Sequence, residues 1–313
     1  MTRKTKNKIK ENITGYLLIA PLLLSLTVFT IYPLLLSLFQ SFFTDLTIKK
    51  HMAYDWSTFG FGNYINAFQD EAFWKALRLT FIYAGISVPL MLILSFVAAY
   101  FLSKDFKGAK VFRVLYYLPC LIPGIVSAII YKYIYAGDAY GFINSFLYTL
   151  HIRDFANDTA IAFFDSELEV VALTSFISLG LFGIGGSSPF WIAGFKSIPK
   201  SYYEAAELDG ISRPRIFFKI TIPMMSKYIF FQVITAFIGA FQIGQAVLQY
   251  SALGGKNGNL TFLGLIIYNN TQAPGGYNFG YASALSYILF VIIAGLSVIL
   301  FRYNKFVYYE GDN

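Results

Sequence analysis

Cysteine, histidine and charged residues are all scarce in this chain of 313 residues. Cys120 is the single cysteine, which excludes an intrachain disulfide and a cysteine-rich zinc site. Charged residues make up 13% of the sequence, whereas soluble globular proteins carry about 25%. Hydrophobic residues make up 57%, and the mean hydropathy is +0.57. This composition excludes an ordinary soluble domain and indicates a membrane protein with several spans.

Six long apolar runs predict six transmembrane helices, because each run is long enough to cross a bilayer. The predicted spans are 15–43, 76–103, 111–136, 168–195, 224–250 and 278–302. They form one six-span domain over 15–302, between a basic tail at 1–14 and a C-terminal tail at 303–313. The first run follows a cluster of lysines, as in a signal peptide. It is too long for one and lacks a small-residue cleavage site, so we interpret it as a retained span.

The basic residues predict the orientation of these spans. With the N-terminus in the cytoplasm, 17 of the 24 lysines and arginines lie in cytoplasmic segments. An odd number of spans would place the basic segments 104–113 and 196–227 on opposite sides and would destroy this bias. We therefore expect both termini in the cytoplasm. The net charge of +7 then reflects membrane topology, and no nucleic-acid partner is expected.

Several kinds of transport and enzyme chemistry lack their usual residues. Spans two, three, five and six contain no carboxylate, which argues against a transporter driven by a proton or sodium gradient. No phosphate-binding G-x-x-x-x-G-K-[ST] loop is present, and no catalytic constellation suggests a membrane-embedded enzyme. The run Gly183-Ile184-Gly185-Gly186 follows no strand, so close helix packing is a better interpretation than a dinucleotide site.

The segment 196–223, here called the coupling loop, is the most informative part of the sequence. Ser201 is a candidate N-cap, Glu204 suits the positive end of a helix, and Gly210 is a natural terminator. Pro214 is suited to open a second short helix. Small side chains at 205 and 206 would let another protein approach closely. A docking element and a solvated helical linker are equally compatible with these features alone.

The coupling loop resembles the EAA loop of bacterial ABC-importer permeases. The matching residues are Glu204, Ala205, Ala206, Gly210, Ile220, Ile222 and Pro223, with Ile222 in place of the usual leucine. The resemblance covers nearly the whole chain and is closest to the maltose-permease-like branch. Further motifs fall in that family's order, namely Tyr32-Pro33, Ser41–Asp45, Phe61–Tyr64, Phe73-Trp74, Arg113 with Leu118-Pro119, Gly141–Asn144 and Gly280–Ala284. The turn at 251–255 departs from the family's Thr-Gly-Gly-Pro-like stretch.

The resemblance implies an all-α membrane protein with the type I ABC-importer (MetI-like) permease fold. It implies a transport subunit, not an enzyme, in a bacterial cytoplasmic membrane. The expected partners are a second homologous permease, two ATPase subunits and an extracytoplasmic solute-binding protein, together with membrane lipid. The chain itself is expected to bind no cofactor, with ATP and Mg on the ATPases. Glu204, Ala205, Ala206, Gly210 and Pro223 would couple ATP hydrolysis to transport.

Two different faces are candidates for the substrate pathway. On the fifth span, Thr235, Gln242, Gln245 and Gln249 fall on one polar face of a helix, which should face protein or water. The resemblance instead implies a pathway lined by Cys120, Gly124, Gly183, Gly186, Ala236, Gly239, Ala240 and Ile243. We favour the small-residue face for the cavity and the glutamines for the partner subunit. Tight helix packing is an equally good explanation of the small residues.

The resemblance predicts a carbohydrate as the transported solute. A wall of glycine and alanine would leave the cavity wide and poor in hydrogen-bond donors, so either the substrate is an oligosaccharide or the partner subunit supplies most polar contacts. The alternatives are an importer permease for a non-sugar solute and, less favoured, a gradient-driven secondary transporter.

Overall fold

A computed structural model describes residues 3–44, 46, 54–152, 160–244, 254–272 and 278–302. Regular structure in these ranges is helical, apart from isolated bridge residues such as the pair Phe43 and Phe59. The first seven α-helices are α1 (Arg3–Leu26), α2 (Tyr32–Gln40), α3 (Gly62–Gln69), α4 (Glu71–Ser103), α5 (Ala109–Tyr117), α6 (Gly124–Ile134) and α7 (Phe142–Thr149). The others are α8 (Glu169–Phe182), α9 (Ser188–Ser197), α10 (Lys200–Leu208), α11 (Arg213–Ile216), α12 (Ile222–Phe241), α13 (Leu263–Gln272) and α14 (Phe279–Arg302).

Six apolar helical segments occupy the positions of the six predicted spans. Four are continuous, namely Thr14–Gln40, Glu71–Ser103, Arg213–Phe241 and Phe279–Arg302. The other two are bent pairs of helices, Ala109–Leu121 with Val126–Ile134 and Glu169–Phe182 with Ile184–Ser197. Counting each bent pair as one span gives six within the described residues.

Proline explains irregular turns in two of the continuous spans. A π-helical turn at Thr27–Ile31 leads into α2, and another at Phe217–Thr221 leads into α12. Each lies immediately before a helix whose second residue is proline, Pro33 in α2 and Pro223 in α12. Proline cannot donate the i→i−4 hydrogen bond and crowds the preceding turn, so the helix widens there without stopping.

Proline and glycine also explain the two bent spans. In the third span, a 3₁₀ turn at Leu118–Leu121 and an extended Ile122 precede Pro123, and the two helical pieces meet at 95°. In the fourth span, Gly183 ends α8 and a 3₁₀ turn at Ile184–Ser187 leads into α9, with a bend of 44°. Both breaks were absent from the sequence prediction, which treated each span as one helix.

The prediction for the end of the fifth span is wrong. It placed a helix as far as residue 250, but α12 ends at Phe241, and residues 242–244 are not helical. Phe241 is buried, and its ring meets Phe81 edge to face at 4.9 Å. The following Gly244 lies against the backbone of Gly264 so closely that a Cβ atom would overlap it. This backbone contact draws the chain away from the helical path.

The chain divides into two compact units, of which the first comprises Met1–Asp70 and Asn269–Ile288. In this unit the Asn63 amide donates to the carbonyls of Ser41 and Phe43, at 2.9 and 3.0 Å. Gly280 packs so tightly on the Phe43 carbonyl that no side chain would fit. The Tyr281 hydroxyl donates to Asp70 at 3.1 Å.

The second unit comprises Glu71–Tyr268 and Leu289–Asn313 and contains both candidate sites. One buried apolar cluster joins α4 and α8 to the segment before α13, and its members include Leu79, Phe176 and Phe262. Another joins α4, α9 and α12 around Trp191, which is almost fully buried. The indole N–H of Trp191 donates to Ser95 Oγ at 3.1 Å. The cluster around Trp191 fixes α4, α9 and α12 relative to one another.

Candidate functional site

The coupling loop contains the predicted helix and its glycine terminator. The helix, α10, ends in a Schellman motif at Gly210, which has a left-handed φ of +68°. The Gly210 N–H donates to the Glu207 carbonyl at 3.1 Å, and the Ile211 N–H donates to the Ala206 carbonyl at 3.0 Å. The prediction of Ser201 as the N-cap is wrong, because the helix begins at Lys200 and Pro199 holds the cap position, so Ser201 lies inside the first turn.

One surface of α10 is free of the rest of the described chain. Glu204 and Ala205 are exposed, and Leu208 is 89% exposed. Ala206 is only 4% exposed, so of the two alanines it is Ala205 that lies on the open surface of α10. Sequence reasoning overlooked Leu208, although an isolated leucine among charged residues at the end of a helix was a usable signal.

The opposite side of α10 is bound to the base of the fifth span. Tyr203 Oη lies 3.2 Å from Thr221 Oγ1, within hydrogen-bonding distance. Burial raises the pKa of Tyr203 above its usual value, so this hydroxyl keeps its proton at neutral pH. Tyr203 also packs against the apolar cluster around Trp191. The helix is therefore attached to the span by both a polar and an apolar contact.

The second short helix predicted to open at Pro214 is present as α11, and it continues into the fifth span. From Arg213 through the π-helical turn and Pro223 to Phe241, the chain forms one helical segment of 29 residues. At 1.5 Å per residue this segment is about 43 Å long. The second half of the coupling loop and the fifth span therefore form a single continuous helix.

An open cavity of about 400 Å³ lies beside the C-terminal half of this helical segment. It is bounded by α4, by the break between α8 and α9, and by α12. Its lining residues are Met91, Leu92, Ser95, Gly180, Gly183, Ile184, Gly186, Ser187, Gln232, Thr235 and Ala236. No charged side chain belongs to this lining, so the cavity suits a neutral solute. We call it the polar cavity.

The polar groups of the cavity are three hydroxyls and one amide. Ser95 Oγ and Ser187 Oγ donate to backbone carbonyls of their own turns, at 3.1 and 3.3 Å. Thr235 Oγ1 donates to the Phe231 carbonyl at 3.0 Å and lies 3.4 Å from Gln232 Oε1. Because the hydroxyl oxygens retain lone pairs and the Gln232 amide adds two donors, the wall can exchange hydrogen bonds with a hydroxyl-rich ligand.

The structure brings together only some of the predicted pathway residues. Gly183, Gly186 and Ala236 line the cavity. Cys120 lies next to them, since its thiol is 3.4 Å from the Gly183 carbonyl. Thr235, assigned to the other face, lines the same cavity as Ala236. The contribution of the second span through Ser95 was missed, and Gln232 could have been found three residues before Thr235 on the same helical face.

The remaining pathway predictions fall elsewhere. Gly124 and Gly239 have open space beside them, and neither they nor Ala240 belong to the cavity lining. Ile243 packs against the buried cluster that contains Leu79. Gln242 is exposed but lies beyond the end of α12, so it does not continue the helical stripe that was predicted. Gln245 and Gln249 lie outside the described residues.

One ion pair joins the segments that precede α8 and α13, and another joins α4 to α8. Lys256 Nζ lies 2.6 Å from Glu167 Oε1, and Arg78 pairs with Glu169. The Asn259 amide donates to the carbonyls of Ser166 and Glu167, each at 3.1 Å. The hydrogen bond and charge of Lys256 hold the pKa of Glu167 below its usual value. Among the described residues, no group of three or more His, Cys, Asp or Glu side chains is arranged to bind a metal.

Comparison with known proteins gives consistent results. A family profile described as "binding-protein-dependent transport system inner membrane component" matches residues 59–305. The chain is 33% identical to the probable ABC transporter permease protein YesP of Bacillus subtilis, over 99% of this chain and 96% of that protein. It is 30% identical to the lactose transport system permease protein LacF of Rhizobium radiobacter, over 96% and 97% of the two chains.

A solved structure supports the fold. One chain of a bacterial alginate ABC transporter, crystallised in complex with a periplasmic protein that holds an alginate pentasaccharide, matches with a TM-score of 0.80. The match covers 96% of both chains at 18% sequence identity. This likeness confirms the all-helical permease architecture predicted from the sequence.

Proposed function

The chain belongs to the family of binding-protein-dependent transport system inner membrane components, and from that premise we propose that it forms part of the import pathway for an oligosaccharide. The resemblance inferred from the EAA loop is confirmed, and the chain is a multi-pass membrane protein that acts as a permease subunit. The solute and the detailed assembly are our proposals. Relatives named as permeases for lactose and for trehalose/maltose support a carbohydrate.

The observation that carries the proposal is the continuous helical segment from the coupling loop to the polar cavity. The exposed surface of α10 at Glu204, Ala205 and Leu208 is the proposed contact with an ATPase subunit. When the ATPases close, they displace α10, and the segment Arg213–Phe241 carries the displacement to Gln232, Thr235 and Ala236. Gly210 and Pro223 keep their assigned roles, at the end of α10 and at the π-helical turn.

The proposed assembly has two permease subunits, two ATPase subunits and a solute-binding protein. ATP and Mg belong to the ATPases, and this chain supplies no catalytic group. Both termini lie in the cytoplasm, as the distribution of basic residues indicates. Cys120, Gly124, Gly183, Gly186, Ala236, Gly239, Ala240 and Ile243 remain the proposed wall of the pathway. Gln242 and Gln245 are assigned to contacts with the second permease.

An exposed leucine provides a specific test of the docking surface. We expect Leu208→Glu to abolish co-purification of an ATPase, because the new carboxylate would be buried in a protein interface. Leu150→Glu is the matched control, since Leu150 is also exposed but lies in the predicted outer loop. Tagged wild-type complex is purified in mild detergent and assayed for associated subunits and ATP hydrolysis. Wild-type chain without an ATPase, or equal loss in both variants, would refute the proposal.

A second test addresses the solute. We expect Gln232→Ala to reduce uptake of labelled oligosaccharide in cells while leaving subunit assembly intact, because Gln232 lines the cavity and the change removes its donors. Phe237→Leu on the same helix serves as a control outside the polar cavity. Equal uptake by both variants would argue against this cavity as the sugar pathway. Uptake of a non-sugar solute alone would retain the importer assignment and reject the carbohydrate.

A further inference from the structure

A basic depression lies at the turn between the second and third predicted spans. It measures about 600 Å³ and is lined by residues 105–110 together with Arg113. Gly108 has a φ of +87°, which allows the sharp turn into α5. Lys107 lies before that glycine in the sequence and Lys110 after it, and both side chains are exposed. We call these two side chains the lysine patch.

The other cations of the turn have structural partners. The guanidinium of Arg113 donates to the carbonyls of Leu102 and Lys104, at 2.7 and 3.2 Å, and lies 3.7 Å from Asp105. Lys104 Nζ lies over the ring of Tyr100, 4.3 Å from its centroid. No acidic side chain in the described part of the chain pairs with Lys107 or Lys110. The turn is thus held by Arg113, and the lysine patch is left with unneutralised charge.

Exposed apolar side chains directly adjoin this charge. Val111, Phe112, Val114 and Leu115 on the first turns of α5 are each more than half exposed. The ring of Phe112 also contacts Phe106, at 5.9 Å between centroids. These residues begin the third apolar span, Ala109–Leu121, so the lysine patch stands at the predicted cytoplasmic end of that span, where headgroups are expected. The patch therefore matches a ligand with an anionic head and apolar chains.

We infer that the lysine patch binds the phosphodiester headgroup of an anionic phospholipid, whose acyl chains lie along the apolar surface of α5. A soluble anion would gain nothing from that apolar surface, whereas a phospholipid matches both the charge of the lysine patch and the apolar side chains beside it. Each lysine near an anionic headgroup strengthens binding about fivefold, so the pair contributes roughly 30-fold. The inference requires only that the chain lies in a bilayer, and it stands whatever the solute is.

Native mass spectrometry of the detergent-purified protein, with its associated subunits, tests the inference. Phosphatidylglycerol is added to the wild type and to the double variant Lys107→Gln/Lys110→Gln, with phosphatidylcholine as the neutral lipid. We expect saturable binding of phosphatidylglycerol to the wild type and a roughly 30-fold weaker affinity in the variant. The charge-preserving variant Lys107→Arg/Lys110→Arg should retain binding, which separates loss of charge from misfolding.

A matched control removes two other cations that are predicted on the same side and lie outside the coupling loop, Arg302→Gln/Lys305→Gln, and should retain the lipid. Equal loss in this control would overturn the inference, because any cation would then serve. Displacement of phosphatidylglycerol by equimolar inorganic phosphate would reveal a free-anion site and would also overturn it. Unchanged lipid binding with loss of an associated subunit from the Lys107→Gln/Lys110→Gln variant would instead assign the lysine patch to a protein interface.

Discussion

Substitution of Gly210 tests how far the backbone conformation at the end of α10 matters for function. A Cβ atom at this position would meet no heavy atom within 4 Å, so alanine fits sterically. The φ of +68° nevertheless penalises any side chain, because a left-handed conformation crowds the Cβ atom against its own carbonyl. Gly210→Ala thus changes conformational energy alone. Gly210→Pro additionally removes the N–H that donates to the Glu207 carbonyl.

The expected effects form a graded series. Alanine costs about 1–2 kcal/mol in the left-handed region, which raises the population of the opened helix end about 5- to 30-fold. Asparagine tolerates that region better and should cost less than alanine. Proline costs about 3 kcal/mol or more, because its fixed φ near −65° is incompatible with the motif and its ring removes a hydrogen bond. We therefore expect disruption in the order asparagine, alanine, proline.

Two measurements on the purified complex follow this series. Hydrogen exchange of the peptide 200–211 reports opening of the motif, and the amide of Ile211 should lose protection in the stated order. The ratio of solute transported to ATP hydrolysed should fall in the same order if α10 transmits the displacement. Gly210→Pro with normal assembly and normal uptake would refute the reasoning. Loss of protection without any change in that ratio would confine the motif to a structural role.

Two further predictions concern packing and pH. Gly185→Ala should reduce the yield of assembled protein, because the added Cβ atom would overlap the Tyr116 carbonyl oxygen and lie 3.0 Å from its carbon. Gly183→Ala should assemble normally, since its Cβ atom would lie 3.5 Å from its nearest neighbour, the Gly180 carbonyl oxygen. Equal yields would contradict the clash. Lys256 lowers the pKa of Glu167 in the folded protein. The ion pair therefore contributes its full stability above the pKa that this carboxyl has in the unfolded chain, and that stability is lost as the pH falls through the lower pKa of the folded state. Thermal unfolding below about pH 4 should therefore depend more steeply on pH in the wild type than in Lys256→Gln, and identical profiles would contradict the coupling.

The positions of the spans and of the coupling helix were predictable because their signals are local. The length of the apolar runs identified all six spans. The glycine at 210 identified the end of α10, because glycine readily adopts the left-handed conformation found there. Both depend on a few neighbouring residues. The same holds for the family assignment, which came from residues 204–223 read together with short motifs elsewhere.

The features that escaped prediction depend on contacts between distant segments. The end of α12 at Phe241 is set by Gly264, twenty residues beyond Gly244 and invisible to helical periodicity. Ser95 joins the polar cavity only because α4 packs beside α12 and α9. Burial of Ala206 likewise requires a neighbour that no local pattern specifies. Helical periodicity therefore identified segments but not the partners that complete the site.

The glycines at the break of the fourth span differ in the space that is available for a side chain. Gly185 lies against the Tyr116 backbone, so any side chain there would displace one segment from the other. Gly183 and Gly186 would place an added methyl group at ordinary contact distances, 3.5 and 3.6 Å from their nearest neighbours. Substitutions at 183 and 186 can thus change the volume offered to a solute, while the bend at Gly185 that shapes the cavity is kept.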